Sequence, residues 1–162
     1  MGGLERGGTS RKAKILNNIF CDCREAAIVF PTEDNEADGN LYLGLQGGYL
    51  RIMYPAPEIC LDLAAWQEFT GFDQNGQSAW FGFSLNPDDM TLSVVDRTDS
   101  PLPAPGPARP AAVMRDPGAV RKVKVPVTVN CDFNGKKRGK SALPGPFASW
   151  EGSIPCFWTS LG

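Results

Sequence analysis

Two segments near the start of the chain share one pattern of polar and hydrophobic positions at an interval of 22 residues. Asn18-Ile19-Phe20 aligns with Asn40-Leu41-Tyr42, and Ile28 aligns with Leu50. A fixed period of this size is typical of stacked repeats, in which each unit buries its hydrophobic face against the next. The runs are short and rich in β-branched and aromatic residues, which favours strands. The pattern therefore predicts β-solenoid coils.

The asparagines at equivalent positions of the two units also have a predicted role. A side-chain amide in a tight corner can hydrogen-bond nearby backbone and also reach the amide of the next unit. We therefore expect Asn18 to contact Asn40.

Near residue 62, where a third unit is expected, the hydrophobic period becomes that of a helix. Asp62 is a favourable N-cap, and Gly71 suits the left-handed position that ends a helix. Leu63, Trp66 and Phe69 fall on one face between them. The sequence predicts a two-turn helix that covers the last coil.

Beyond residue 76 the hydrophobic period becomes two, which predicts an antiparallel hairpin and a later strand. Asn86-Pro87-Asp88-Asp89 suits the turn of the hairpin, and Pro126 restricts the later strand to a sheet edge. The alternating hydrophobic positions are Phe81, Phe83 and Leu85, then Met90, Leu92 and Val94, and finally Val123, Val125, Val127 and Val129.

These elements divide the chain into five predicted segments. They are a disordered or truncated N-terminal segment over 1–12, β-helix coils over 13–60, the capping helix and hairpin over 61–98, a proline-rich connection over 99–118, and a C-terminal strand and fold-back tail over 119–162.

Composition narrows the function classes. The 162 residues include 18 Gly and 14 Pro, which favours many short elements. The net charge of −2 and the lack of a basic face argue against nucleic acid as a partner. The chain has no His, which excludes Ser-His and Cys-His nucleophilic pairs and imidazole-bound metals within it. No hydrophobic run approaches the ~20 residues of a membrane span, so no membrane partner is expected.

The five cysteines are an odd number, so at least one thiol is unpaired. Cys21 and Cys23 are too close for a zinc-knuckle spacing, and no second pair follows them. We expect buried free thiols that pack as small hydrophobic side chains. The cysteines do not indicate the redox compartment of the protein.

Three groups of residues resemble the pectate-lyase-like superfamily of right-handed parallel β-helix proteins. Ile15-Leu16-Asn17-Asn18-Ile19-Phe20 with Asp38-Gly39-Asn40-Leu41-Tyr42 resembles the late coils, residues 62–73 resemble the short helix that closes many stacks, and residues 132–147 are similar to the C-terminal signature of secreted members. The resemblance implies a mainly β fold: the last coils of a β-helix, a short capping helix and a C-terminal antiparallel β segment.

The same resemblance implies an extracellular protein that meets a polysaccharide or other glycan. Because the family has many more coils, it also implies that most of the solenoid and its active site lie upstream of Met1, and that this chain packs against them. The N-terminal residues lack the hydrophobic core of a signal peptide. No catalytic motif of the family matches a position here, so the catalytic residues are unknown.

An acidic stretch between the two units is a candidate metal site. Asp34, Glu36 and Asp38 alternate before Gly39, as in the first half of a calcium-binding loop. The closing glutamate is absent, because position 45 is Leu. The alternative interpretation is a solvated acidic loop in which Gly39 forms a left-handed corner.

Carbohydrate chemistry has its own candidates. Paired carboxylates hydrolyse glycosidic bonds when they lie about 5–10 Å apart, and Glu33 with Asp38 is the pair to test. Flat aromatic rings stack on sugars. The aromatic candidates are Tyr42, Tyr49, Tyr54 and Trp80, of which Tyr42 and Tyr49 occupy repeat positions that favour packing between coils.

The sequence leaves three classes of function open. The first is the C-terminal portion of a polysaccharide lyase or glycoside hydrolase. The second is a non-catalytic carbohydrate-binding or structural cap module. The third, an independent β-sandwich binding domain, requires the 22-residue repeat to be accidental.

Overall fold

The fold is known from a computed structural model that describes residues 11–23, 26–44, 49–53, 58–60, 62–97, 114–126 and 128–156. The predicted N-terminal segment and the proline-rich connection fall largely outside these residues, as do Tyr54, Val127 and the last six residues. No helix in the described part is long and hydrophobic enough to span a membrane.

Short strands dominate the described residues. They are β1 (Lys14–Leu16), β2 (Ile19–Cys21), β3 (Ala26–Phe30), β4 (Glu36–Asp38), β5 (Leu41–Leu43), β6 (Tyr49–Ile52), β7 (Glu58–Cys60), β8 (Gln77–Ala79), β9 (Phe81–Asn86), β10 (Thr91–Asp96), β11 (Val123–Lys124), β12 (Ser141–Ala142) and β13 (Ile154–Pro155). The helix α1 spans Leu63–Thr70, and a 3₁₀ turn spans Pro117–Ala119.

These strands form five small separate sheets. The strand orders are β1-β4, β2-β5-β8, β3-β6-β7, β13-β10-β9 and β11-β12. The pairs β1–β4, β2–β5, β3–β6 and β5–β8 are parallel, whereas β6–β7 and all pairs in the last two sheets are antiparallel.

The prediction of a right-handed parallel β-helix is wrong. The 22-residue repeat does set the register of three strand pairs, since Lys14 lies opposite Glu36 and Ile19 opposite Leu41. The next pairings abandon that register: Leu41 lies opposite Gln77, and β7 returns antiparallel to β6. The sheets therefore stay separate, and none is closed or continues as a solenoid. A repeat of two units specifies only the parallel pairing of those two units. The sequence period alone does not show whether further units continue the stack.

Strand β5 is the centre of the packing because its two faces belong to different hydrophobic clusters. Tyr42 packs in a first cluster with Leu50 and Trp66. Leu41 and Leu43 pack in a second cluster, which also contains Phe81 of the hairpin and Trp150 near the C-terminus. A central parallel strand covered on both faces requires an uninterrupted hydrophobic run, and Leu41-Tyr42-Leu43 supplies it.

The predicted helix is confirmed with both of its ends. The Asp62 carboxylate accepts a hydrogen bond from Ala65 N at 2.8 Å, and Gly71 takes the left-handed conformation with φ 73°. Leu63 and Trp66 are buried against the first cluster. The prediction for Phe69 is wrong, because its side chain is 54% exposed.

The predicted hairpin is also confirmed. Its strands β9 and β10 pair antiparallel, with Phe81 opposite Asp96 at one end and Asn86 opposite Thr91 at the other. The third strand of this sheet is β13. The predicted later strand is shorter than expected: among its described residues, only Val123 and Lys124 form a strand, and they pair with β12 in another sheet. A strand of two residues is too short for its hydrophobic alternation to specify which strand it pairs with.

All five cysteines are free. The expectation of a buried, hydrophobic thiol holds for Cys60, and burial raises the pKa of that thiol. It is wrong for Cys131, which is exposed.

A ladder of hydrogen-bonded polar side chains, of which Asn40 and Asp73 are buried, joins the first half of the chain. Asn40 Oδ1 accepts from Asn18 N at 2.9 Å and from Asn18 Nδ2 at 3.3 Å, as expected from the repeat. Asn40 Nδ2 donates to Asp73 Oδ1 at 2.8 Å, and Asn40 N donates to the same oxygen at 3.2 Å. The Tyr42 hydroxyl donates to Asp73 Oδ2 at 2.7 Å. Asp73 thus takes the third position of the ladder.

Removal of the helix N-cap provides a first test of this fold. Asp62→Ala leaves Ala65 N without its acceptor and should lower the free energy of unfolding by about 1 kcal/mol. Urea denaturation followed by circular dichroism measures the change. Asp62→Asn is the control and should retain most of the stability; an equal loss in both variants would contradict the capping role.

Substitution of the buried Asp73 carboxylate provides a second test. Asp73→Ala leaves the Asn40 and Tyr42 donors unpaired in the core and should cost about 3 kcal/mol. Asp73→Asn keeps an acceptor for Asn40 and tolerates the positive φ of this position, so it should fold.

Burial raises the pKa of Asp73 above its usual value, so its effect on stability has a definite sign. Protonated Asp73 stabilises the folded state. This stabilisation is complete below the unfolded pKa near 3.8 and is lost as pH rises through the folded pKa. Denaturation of both proteins between pH 3 and 7 should show Asp73→Asn gaining stability relative to the wild type as pH rises. A constant difference across this range would contradict a raised pKa.

Candidate functional site

The three carboxylates of the predicted calcium site are not brought together. Asp34 lies 4.0 Å from Arg11, Glu36 Oε2 lies 2.6 Å from Lys14 Nζ, and Asp38 accepts from Asn75 N and Nδ2 at 2.9 and 2.8 Å. Among the residues that the structure describes, no three acidic or cysteine side chains form a group able to hold a metal. The geometry of β4 contributes to this separation. Glu36 and Asp38 lie on the same face of the strand but about 7 Å apart along it, and Asp34 precedes the strand.

The residues predicted to act on or bind carbohydrate lie in different parts of the fold. Glu33 lies in the turn before β4 and is exposed, whereas Asp38 ends β4. Tyr42 and Trp80 are buried, so neither ring presents a face to solvent. The backbone of Tyr49 is part of β6, while its side chain and all of Tyr54 lie outside the described residues.

Asp38 instead borders one of two surface depressions that both have Asn17 among their lining residues, and we name the two together the Asn17 groove. The first has a volume of about 170 Å³. Its lining residues are Asn17, Asp38, Gly39, Asn75, Arg121, Lys122, Val123 and Lys124. Arg121, Lys122 and Lys124 are exposed, so the depression carries three cations against one carboxylate that is already paired with Asn75.

The second depression is wider and more hydrophobic, at about 550 Å³. Phe133 is 46% exposed and Val129 is 41% exposed on its wall. The remaining lining residues are Leu16, Asn17, Asn18, Ile19, Pro126, Cys131, Asp132, Arg138, Gly145 and Pro146. It therefore offers an aromatic face beside amide, carboxylate and guanidinium groups.

Hydrogen bonds to two side chains fix the wall that carries the cations. The Gln77 side chain donates from Nε2 to Arg121 O at 2.9 Å and accepts from Arg121 N at 2.8 Å. Asn17, held at φ 59°, donates from Nδ2 to Lys124 O at 2.7 Å, and its carbonyl accepts from Gly145 N at 2.6 Å. These contacts attach the cationic segment to β8 and to the β1–β2 corner.

A second set of bonds fixes the wall that carries Phe133. Asp132 accepts from Asn134 N and Lys136 N through Oδ1, and from Ala148 N through Oδ2, at 2.8–3.0 Å. Arg138 donates from one guanidinium nitrogen to the carbonyls of Gly145 and Phe147 at 2.6 and 3.0 Å. Both charged side chains therefore hold the loop that forms the wall.

A bidentate ion pair attaches the hairpin to β2 beyond the groove. Arg97 Nη1 donates to Asp22 Oδ1 at 2.6 Å, and Nη2 contacts Oδ2 of the same carboxylate. Hydrogen bonding to Arg97 lowers the pKa of Asp22. The guanidinium also lies 5.6 Å from the centre of the Trp80 ring. This pair positions elements and does not line the groove.

Sequence reasoning found Asp38 and missed the cations beside it. Lys122 and Lys124 alternate with Val123 and Val125, but this alternation predicted only an edge strand. The segment Asp132-Phe133-Asn134-Gly135 was noticed only for its resemblance. The cationic segment meets the corner after β1 through the bond between Asn17 and Lys124, which are 107 residues apart in the sequence.

Comparisons with protein-family models, curated proteins and solved structures found no match to this chain. The resemblance to pectate-lyase-like proteins therefore stays a prediction.

The role of Gln77 as an anchor of the groove is testable. Gln77→Ala removes both bonds to the Arg121 backbone and leaves those groups unpaired, at a cost of about 2 kcal/mol. Hydrogen–deuterium exchange should accelerate over residues 120–126. The control is Gln74→Ala, an exposed neighbour, and similar acceleration in that variant would argue against a specific anchor.

Proposed function

We propose that this chain is a carbohydrate-binding module that holds an acidic glycan in the Asn17 groove. The observation that carries the proposal is the presence of an exposed aromatic face and of three exposed cations in two depressions that both include Asn17. The ligand class is a polysaccharide whose sugar units bear carboxylates.

The second depression supports the sugar part of this proposal. A pyranose ring has a flat face of C–H groups and a polar edge, and it is bound best by an aromatic side chain flanked by hydrogen-bonding groups. Phe133 provides the aromatic face. Asn18 and Asp132 also line this depression, where their side-chain oxygens are acceptors for sugar hydroxyl groups.

The first depression supports the acidic part. Arg121, Lys122 and Lys124 attract carboxylates, and a guanidinium binds a carboxylate through two parallel hydrogen bonds. Because their backbone is attached through Gln77 and Asn17, these cations are positioned before the ligand arrives. Preorganisation of this kind reduces the entropic cost of binding.

The other parts of the sequence-based hypothesis stay predictions. The catalytic role was assigned to residues upstream of this chain, and the extracellular location came from the resemblance alone. Glycan binding at the Asn17 groove requires neither of them.

Binding to polygalacturonate fragments tests the proposal. Wild-type protein should bind them in isothermal titration calorimetry, and Lys122→Gln/Lys124→Gln should weaken binding about tenfold or more, because two charge-assisted contacts are lost. The matched control is Lys136→Gln/Lys137→Gln, which removes two exposed charges outside the groove. Phe133→Ala should weaken binding to both acidic and neutral oligosaccharides.

Two results would contradict the proposal. One is an absence of binding to acidic and neutral oligosaccharides at millimolar concentration. The other is an equal loss in the two double-lysine variants, which would indicate attraction to overall charge. Release of reducing ends, measured on the same samples, separates binding from turnover.

A further inference from the structure

A second groove lies away from the Asn17 groove, between the helix α1 and the strand β7. Its volume is about 550 Å³. The lining residues are Glu58, Ile59, Cys60, Asp62, Ala65, Glu68 and Phe69. We name it the α1–β7 groove.

The floor of this groove carries exposed hydrophobic side chains. Ile59 is 46% exposed and Phe69 is 54% exposed, although both belong to regular elements. In the sheet β3-β6-β7, Ile59 points away from the core, opposite to the buried Cys60. Phe69 occupies the helical face on which Leu63 and Trp66 are buried, yet it extends past the first cluster into the groove.

The groove also borders a sheet edge. β7 is the outer strand of its sheet, and within the described ranges no strand pairs with its other side. The backbone groups along an open edge are a template for an additional strand. An extended peptide gains affinity there from main-chain hydrogen bonds and specificity from alternate side chains.

The charge of the rim selects among partners. Glu58, Asp62 and Glu68 are acidic, and no basic residue is among those that line the groove. Three carboxylates repel nucleic acids and anionic membranes, and they attract Lys and Arg side chains. Asp62 is engaged as the helix N-cap, so Glu58 and Glu68 are the carboxylates for a partner.

We infer that the α1–β7 groove binds an extended peptide segment in which basic and hydrophobic residues alternate. The segment adds to the free edge of β7. One set of its side chains packs on Ile59 and Phe69, and its cations meet Glu58 and Glu68. This is a protein-interaction surface separate from the Asn17 groove.

The probe is an acetylated and amidated peptide of alternating lysine and valine, about seven residues long, which is close to the usual length of a strand. A fluorescent derivative should bind the full chain in anisotropy titrations. Phe69→Ser and Glu58→Gln/Glu68→Gln should each weaken binding about tenfold or more. Affinity should fall as salt is raised. Leu85→Ser is the matched control, because Leu85 is 51% exposed on another sheet.

Two altered peptides test the binding mode. Replacement of the central valine by proline removes a main-chain donor and should abolish binding while the charge is retained. Replacement of lysine by glutamate should also abolish it.

Four outcomes would overturn the inference. They are an absence of binding by the lysine–valine peptide, equal binding of the proline peptide, equal losses in Phe69→Ser and Leu85→Ser, and concentration-dependent self-association that Phe69→Ser removes without any peptide binding. The last would assign the groove to a second copy of this chain.

Discussion

The first half of this protein is organised around a carboxylate that is removed from water. Asp73 is fully buried and receives hydrogen bonds from the Asn40 amide, the Asn40 backbone and the Tyr42 hydroxyl. Burial of an acidic group without partners is among the most costly events in folding, so its donors must all be present at once. That requirement fixes the register of β5 relative to the segment after α1. It also orders the neighbouring Asn75, which contacts Asp38 at the edge of the Asn17 groove.

Local features of the fold were accessible from the sequence. The N-cap at Asp62 and the left-handed Gly71 each depend on a few adjacent residues, and the structure contains both. The predicted hairpin turn is also present, but it extends to Met90, because β9 ends at Asn86 and β10 begins at Thr91. The contact of Asn18 with Asn40 was also predictable, because a repeated interval specifies which residues lie side by side.

The arrangement of the elements was not accessible in the same way. Two repeated units predicted a long stack, although they specify only one set of parallel pairs. The groove depends on Gln77 meeting Arg121 and on Asn17 meeting Lys124, and no local pattern encodes such distant partners. Asp73 lies 33 residues after Asn40, and not the 22 of the repeat, so the repeat did not predict its position in the ladder.

The strand β5 has a consequence for the integrity of the whole molecule. Its three side chains point alternately into two hydrophobic clusters, one built mainly from the first half of the chain and the other mainly from the second. Neither cluster can lose β5 without exposing the other. The stability of the two halves is therefore coupled, because a local opening in either cluster disturbs β5 and so the other cluster. The two grooves, although separate in space, belong to a single cooperative unit.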